Sequence, residues 1–282
     1  MPFSARQGLF GQVAEAGVDT DVATWAASVA TADGQTLEAG VITAVDTYVK
    51  GIKADGNWTN IDQLLMLSCA RTLSGAAVAL KGNNPTFTNF VSGDYNRTHG
   101  LTGNEPNSAL ITTNYNMNTW SANDIFVGTY QTQDRVNRST TGQGNEAFFG
   151  ALEAVNGQGS FSFHIWNNWA GNGSRLLPGR FFSSSVTGTG SVGTYLAPNL
   201  QGLYSLSSDT TSVHYFNGPG GTRTESQAQG TPDARSLQYY SEEPGTYYTG
   251  RLFMGVAASF INHAQVDSRT DTLYTDIQAL GL

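Results

Sequence analysis

SVHYFNGPGGTRTES, residues 212–226, is the stretch on which the fold turns. Two runs carrying Val, Tyr, Phe and Thr flank Asn217–Gly221, where Asn, Gly and Pro crowd together. Gly and Asn accept the positive φ of a tight turn, so the stretch reads as a β-hairpin. The same texture recurs at Ile125–Gln131 (IFVGTYQ), Phe161–Trp166 (FSFHIW), Gly202–Ser207 (GLYSLS) and Arg251–Ala257 (RLFMGVA). In FSFHIW, Phe161, Phe163 and Ile165 alternate with Ser162, His164 and Trp166, giving one apolar and one mixed face. Short strands bounded by Gly, Asn and Ser, with no helical pattern between them, predict an antiparallel sandwich of the jelly-roll kind.

Composition agrees. The 282-residue chain is low in charge and rich in Gly, with polarity carried by Asn, Ser and Thr, as in turn-dense β proteins. Its net charge of −8, with Lys only at Lys50, Lys53 and Lys81, excludes a nucleic-acid partner, because phosphate binding needs a basic face. Cys69 is the single cysteine and reads as a small buried hydrophobe; one cysteine forms no internal disulfide. MPFSARQGLFGQVAEAG lacks an apolar core, so no signal peptide is expected. The longest apolar stretch is broken by Asp62 and Arg71, so no membrane partner is expected either.

Before Pro85 the pattern is helical. Asp19 or Thr20 caps a first helix carrying Val22, Trp25, Ala26 and Val29, and Asp33-Gly34 ends it. A second places Val41, Val45, Tyr48, Val49 and Ile52 on one face and stops at Gly56. A third is expected from Thr59, with Leu64, Leu65, Leu67, Leu73 and Val78 as its apolar residues. At the other end, Asn262 and Gln265 open a last helix through Leu273, Ile277 and Leu280. The expected organisation is an anchor or interface segment at 1–20, a helical region at 21–84, and a sandwich with a short C-terminal helix at 85–282.

Three blocks carry a family resemblance: AVDTYVKGIKADGNWTNIDQLLMLSCARTLSGAAVALKG (44–82), FVSGDYNRTHGLTGN (90–104) and GRLFMGVAASFINHAQVDSRTDTLYTDIQAL (250–280). They resemble virion tail- or head-fibre proteins of phages and prophage-like elements, which set a concanavalin A-like (laminin G-like) jelly roll behind a small helical region. The resemblance runs from about Asp21 to the end and contains no catalytic motif. It implies a place on the virion surface, assembly in the host cytoplasm, contacts with other virion proteins through the N-terminal segment, and contact with host surface polysaccharide. It also implies that Gly93–Asn116 opens the sandwich, with turns at Gly100 and Gly103 and a strand in ALITTNYN.

The chain carries few catalytic motifs. There is no His-Glu-x-x-His, no Gly-x-Ser-x-Gly and no phosphate-loop lysine. GTGSVG (188–193) matches Gly-x-Gly-x-x-Gly but lacks the following helix that a pyrophosphate needs. Glycosidases of the sandwich fold carry Glu-x-Asp-x-x-Glu on one strand, and no such run exists here. Glu242 and Glu243 are adjacent and would point to opposite faces of a strand; Glu146 and Glu153 flank AFFGAL. Laminin G-like domains hold calcium through Asp and Asn oxygens. Asp94, Asn96, Asp124 and Asp209 are candidate ligands that no spacing selects, so neither a metal nor another cofactor is expected.

The candidate carbohydrate site lies in FHIWNNWAGNGSR, residues 163–175. Trp166 and Trp169 offer aromatic faces to sugar C–H groups, Asn167 and Asn168 offer amides, and Arg175 adds a cation for an acidic sugar. Trp120 is a second loop aromatic, and YYSEEPGTYY (239–248) could equally form a subunit contact. The expectation is a non-enzymatic virion fibre or spike subunit, homo-oligomeric, that binds host surface polysaccharide through several weak sites. The alternatives are a purely structural head or tail component and a depolymerase, the last requiring two facing carboxylates.

Overall fold

The computed structural model describes residues 17–103, 109–116, 119, 121, 124–133, 145–151, 161–166, 175–181, 201–208, 212–217, 221–226, 236–240, 250–259 and 261–282. It is mainly β, with two antiparallel sheets and a few helices. Helix α1 (Thr20–Asp33) begins where the Asp19 carboxylate accepts from the Asp21 N–H at 3.0 Å, and ends at Gly34 with φ +69°. Helix α2 (Ala39–Ala54) buries Val41, Val45, Tyr48, Val49 and Ile52, as its spacing predicts. Helix α4 (His263–Ala279) is capped by the Asn262 side chain accepting from the Gln265 N–H at 3.1 Å.

The third expected helix is not formed. A single 3-10 turn, Trp58–Asn60, leads instead into strand β1 (Ile61–Met66), and only the short α3 (Leu73–Ala76) is helical before β2 (Ala79–Lys81). The reason is burial on both sides. Strand β1 sends Ile61, Leu64 and Met66 into one core and Leu65, with Leu67 just beyond, into another. Such a strand has no polar face, and its near-continuous apolar run mimics a buried helix.

The larger sheet runs β13 (Gly221–Ser226), β12 (Ser212–Asn217), β11 (Gly202–Ser208), β7 (Ile125–Gln133), β15 (Arg251–Ala258), β1 and β2, with β5 (Gly100–Thr102) also pairing β15 and β4 (Tyr95–Asn96) pairing β5. The smaller runs β10 (Arg175–Phe181), β9 (Phe161–Trp166), β8 (Asn145–Ala151), β14 (Ser236–Tyr239), β6 (Leu110–Asn116) and β3 (Thr86–Thr88). The hairpin read from residues 212–226 is present, pairing Ser212 with Ser226 through Asn217 with Gly221. ALITTNYN supplies β6, and Gly100 turns with φ +100°.

Alternation along the central strands makes three layers. Leu65, Val127, Tyr204, Leu206, Leu252 and Ala257 face Ile111, Phe149, Leu237 and Tyr239 of the smaller sheet. On the opposite face, Phe126, Tyr130, Leu203, Phe253 and Val256 meet α1, α2 and α4 through Val22, Val45, Leu273 and Ile277. Helix α4 therefore packs on the outer face of the larger sheet, beside α2. Cys69 is buried with φ +73°, and burial pushes its thiol up to about 12. No helix among the described residues is long and apolar enough to cross a membrane.

Candidate functional site

Helix α4 lines a concavity with converging polar groups. His263, Val266, Thr270, Leu273, Tyr274 and Ile277 form its buried stripe. The His263 ring locks the first turn onto β11: Nδ1 lies 2.6 Å from Ser205 Oγ and Nε2 2.6 Å from Ser207 Oγ. With that face fixed, helical geometry turns Asp271, Thr272, Thr275 and Asp276 outward. These four and Gln201, just before β11, line a shallow cleft of about 400 Å³.

Tyr130 of β7 ties the cleft to the sheet. Its hydroxyl donates to Asp271 Oδ1 and accepts from Gln201 Nε2 at 3.1 Å. Phe253 and Tyr274 hold its ring edge-on or tilted, with centroids 6.0 and 5.8 Å away. Burial, and then the Asp271 carboxylate, push the Tyr130 phenol well above its ordinary value, so it remains a donor. One turn before Asp271, Asp267 Oδ1 accepts the Leu203 N–H at 3.0 Å. Burial first and the charge of Asp271 second raise the Asp267 carboxyl, although the Leu203 N–H opposes this.

Acceptors dominate the lining. Thr272 and Thr275 spend their hydroxyl protons on Ser268 O and Asp271 O, at 3.0 and 2.9 Å, leaving lone pairs for a ligand. Two carboxylates and an amide complete an arrangement suited to a ligand with many hydroxyl donors and no negative charge. On a regular helix Asp271 and Asp276 have Cα atoms about 9 Å apart, which places two carboxyl groups on one cleft.

The sequence-expected residues fall elsewhere. Trp166 ends β9 and Arg175 begins β10, directly opposite each other, with Asn145 of β8 opposite Trp166 on the other side. They share one end of the smaller sheet, the layer away from α4. Asn167, Asn168, Trp169 and Trp120 lie outside the described residues, as do residues 1–16, GTGSVG, Glu153, Asp209, Glu242 and Glu243. Asp94 and Asn96 serve turns: Asp94 Oδ2 accepts from the Val91 N–H at 2.9 Å, and Asn96 Oδ1 from the Thr98 and His99 N–H groups. Among the described residues no group of three or more His, Cys, Asp and Glu is arranged to hold a metal.

The carboxylates of α4 lie on a helix, where the strand pattern Glu-x-Asp-x-x-Glu does not point. VDSRTDTLYTD carries the signal, with Asp267 and Asp271 one turn apart and Asp276 five residues on, all inside the expected C-terminal helix.

No family model matches the sequence, and no curated protein matches it. Among solved structures, Trypanosoma rangeli sialidase is similar with TM-score 0.47 and 12% identity over 83% of this chain, which spans 39% of that one. The enzymatically active domain of bacteriophage CBA120 tailspike protein 2 gives TM-score 0.39 and 13% identity, covering 67% of this chain and 29% of that one. Domain 4 of AbnA, an extracellular arabinanase of Geobacillus stearothermophilus solved with arabinotriose, gives TM-score 0.37 and 13% identity, covering 67% and 82%. At these scores the likenesses assign no activity to this chain. They do correct one expectation. The non-enzymatic fibre subunit, and with it the exclusion of enzyme activity, rested on missing motifs, and matches to a sialidase, an arabinanase domain and a tailspike's enzymatic domain overturn it.

Proposed function

We propose that the protein is a polysaccharide-hydrolysing subunit of a phage-like particle, acting at the α4 cleft on a neutral glycan. One observation carries the reading: Asp271 and Asp276 share a cleft whose remaining groups are hydrogen-bonding and whose Asp271 is positioned by the Tyr130 hydroxyl. Glycoside hydrolysis needs one carboxyl to protonate the leaving oxygen and another to activate water or attack. Both carboxyls line the same cleft, which supplies the two roles from one helix. The carboxylates repel acidic sugars at contact distance, which is why the glycan is neutral.

The place on a particle is supported by the three sequence blocks that resemble virion proteins, and the jelly-roll assignment by two antiparallel sheets sharing one core. Trp166 and Arg175, opposed across β9 and β10, are proposed as a separate glycan-binding position on the smaller sheet; the sequence adds Asn167, Asn168, Trp169 and Trp120 to it.

The test is release of reducing ends from a panel of bacterial surface polysaccharides. Wild type should cleave at least one neutral polymer. Asp271→Asn and Asp276→Asn should each abolish cleavage while leaving the fold intact. Full activity in either variant would remove the site; no release from any polymer would remove the function.

A further inference from the structure

The main path of each sheet has two end strands, and an edge strand offers unpaired backbone groups to another chain unless something blunts it. Three of the four are blunted. Strands β2 and β3 are three residues long. Strand β10 contains Pro178, which lacks an N–H, and its pairing with β9 breaks register between Pro178 and Phe181. Strand β13 differs. It is six residues long, contains no proline, and pairs with β12 at every position from Gly221 to Ser226 without a shift. Among the described residues no strand lies on its other side.

The sequence of this edge, GTRTES, is complementary to itself when read antiparallel. Two copies centred on Thr224 place Arg223 of each opposite Glu225 of the other, and Thr222 opposite Ser226. Opposite charges at directly facing positions stabilise an antiparallel pair, whereas like charges destabilise it. A register shifted by two residues in one direction, centred on Arg223, places Arg223 opposite Arg223; the opposite shift places Glu225 opposite Glu225. The charge pattern therefore selects one two-fold register.

We propose that β13 is a self-association edge: a second copy of this chain pairs its own β13 antiparallel to it, centred on Thr224, so that two larger sheets become continuous. The contact is isologous, and a two-fold axis through Thr224 closes it at a dimer. Main-chain hydrogen bonds supply the attachment, and the two Arg223–Glu225 pairs set the register. The proposal is independent of the cleft chemistry, because β13 lies three strands from β7 and its Tyr130.

Sedimentation velocity on the full chain tests it, with circular dichroism as the check on folding. Wild type should be a concentration-dependent dimer. Arg223→Glu should weaken dimerisation by about tenfold or more, since it creates two Glu–Glu pairs. Arg223→Glu combined with Glu225→Arg should restore it. Thr224→Pro, which removes a backbone donor from the strand, should give a monomer; the charge variants decide the matter should this one fail to fold. A monomeric wild type at all attainable concentrations overturns the proposal. So does a dimer whose strength is indifferent to Arg223→Glu, because that dimer uses another surface.

Discussion

Adjacent tyrosines on β14 and just after it should respond to the same substitution with opposite signs. Tyr239 is fully buried between the sheets, its ring tilted edge-on to Phe149 at 6.3 Å. Its hydroxyl has no hydrogen-bond partner among the described residues. The ring packs closely against Gly255, where a Cβ would lie 2.9 Å from Tyr239 Cζ. A buried polar group left unpaired costs about 1–3 kcal/mol. Tyr239→Phe removes that penalty and forfeits only the few dispersion contacts of one oxygen, each about 0.1–0.2 kcal/mol. A net gain of about 1–2 kcal/mol follows, or about 2–4 °C in Tm for each kcal/mol in a chain near this size. Tyr240 is the control. Its hydroxyl donates to the Leu101 carbonyl and accepts from the Leu252 N–H at 3.3 Å, so Tyr240→Phe should lose about 1–3 kcal/mol. Urea unfolding at matched m values measures both. A loss of more than about 1 kcal/mol in Tyr239→Phe would refute the reasoning, because the hydroxyl must then be satisfied.

Three further substitutions test the frame around the cleft and the helices. Gly100→Ala should destabilise by about 2 kcal/mol or more, since φ is +100° and a Cβ would lie 2.1 Å from the Leu252 carbonyl oxygen; the urea midpoint reports it. Asp267→Asn should raise stability at neutral pH. The folded carboxyl sits above its ordinary 3.8, so the folded state holds the proton more tightly, and stability falls as pH rises from near 3.8 through the raised value; the variant should lose this slope in a Tm–pH series. Glu38 has the opposite sign. Hydrogen bonds from Arg97 first, and the charges of Arg97 and Arg71, hold it below 4.5, so its contribution is present above 4.5 and fades as pH falls through the lowered value. Glu38→Gln should flatten that acid limb, measured in the same series.

What could be read from the sequence was whatever lay in local pattern. Asp19, Gly34 and Asn262 state their capping roles within a few residues, and the hairpin at 212–226 is specified by its own turn. Strand β1 was illegible for a physical reason: periodicity reports a boundary between core and solvent, and Leu64, Leu65 and Met66 meet core on both sides. The cleft was illegible for another. Asp271 gains its meaning from the hydroxyl of Tyr130, 141 residues earlier, and from Gln201, which the sheet order β11–β7 brings beside it. Local sequence holds Asp271 and Asp276 as two exposed acids on a helix, the commonest arrangement on any protein surface. The docking of α4, pinned at one end by His263 between Ser205 and Ser207, sets those exposed acids along a shallow cleft beside Gln201. The chemistry of this site thus depends on the angle at which one helix meets one sheet. A substitution at Ser205 or Ser207, neither of which lines the cleft, would reach Asp271 and Asp276 through that angle.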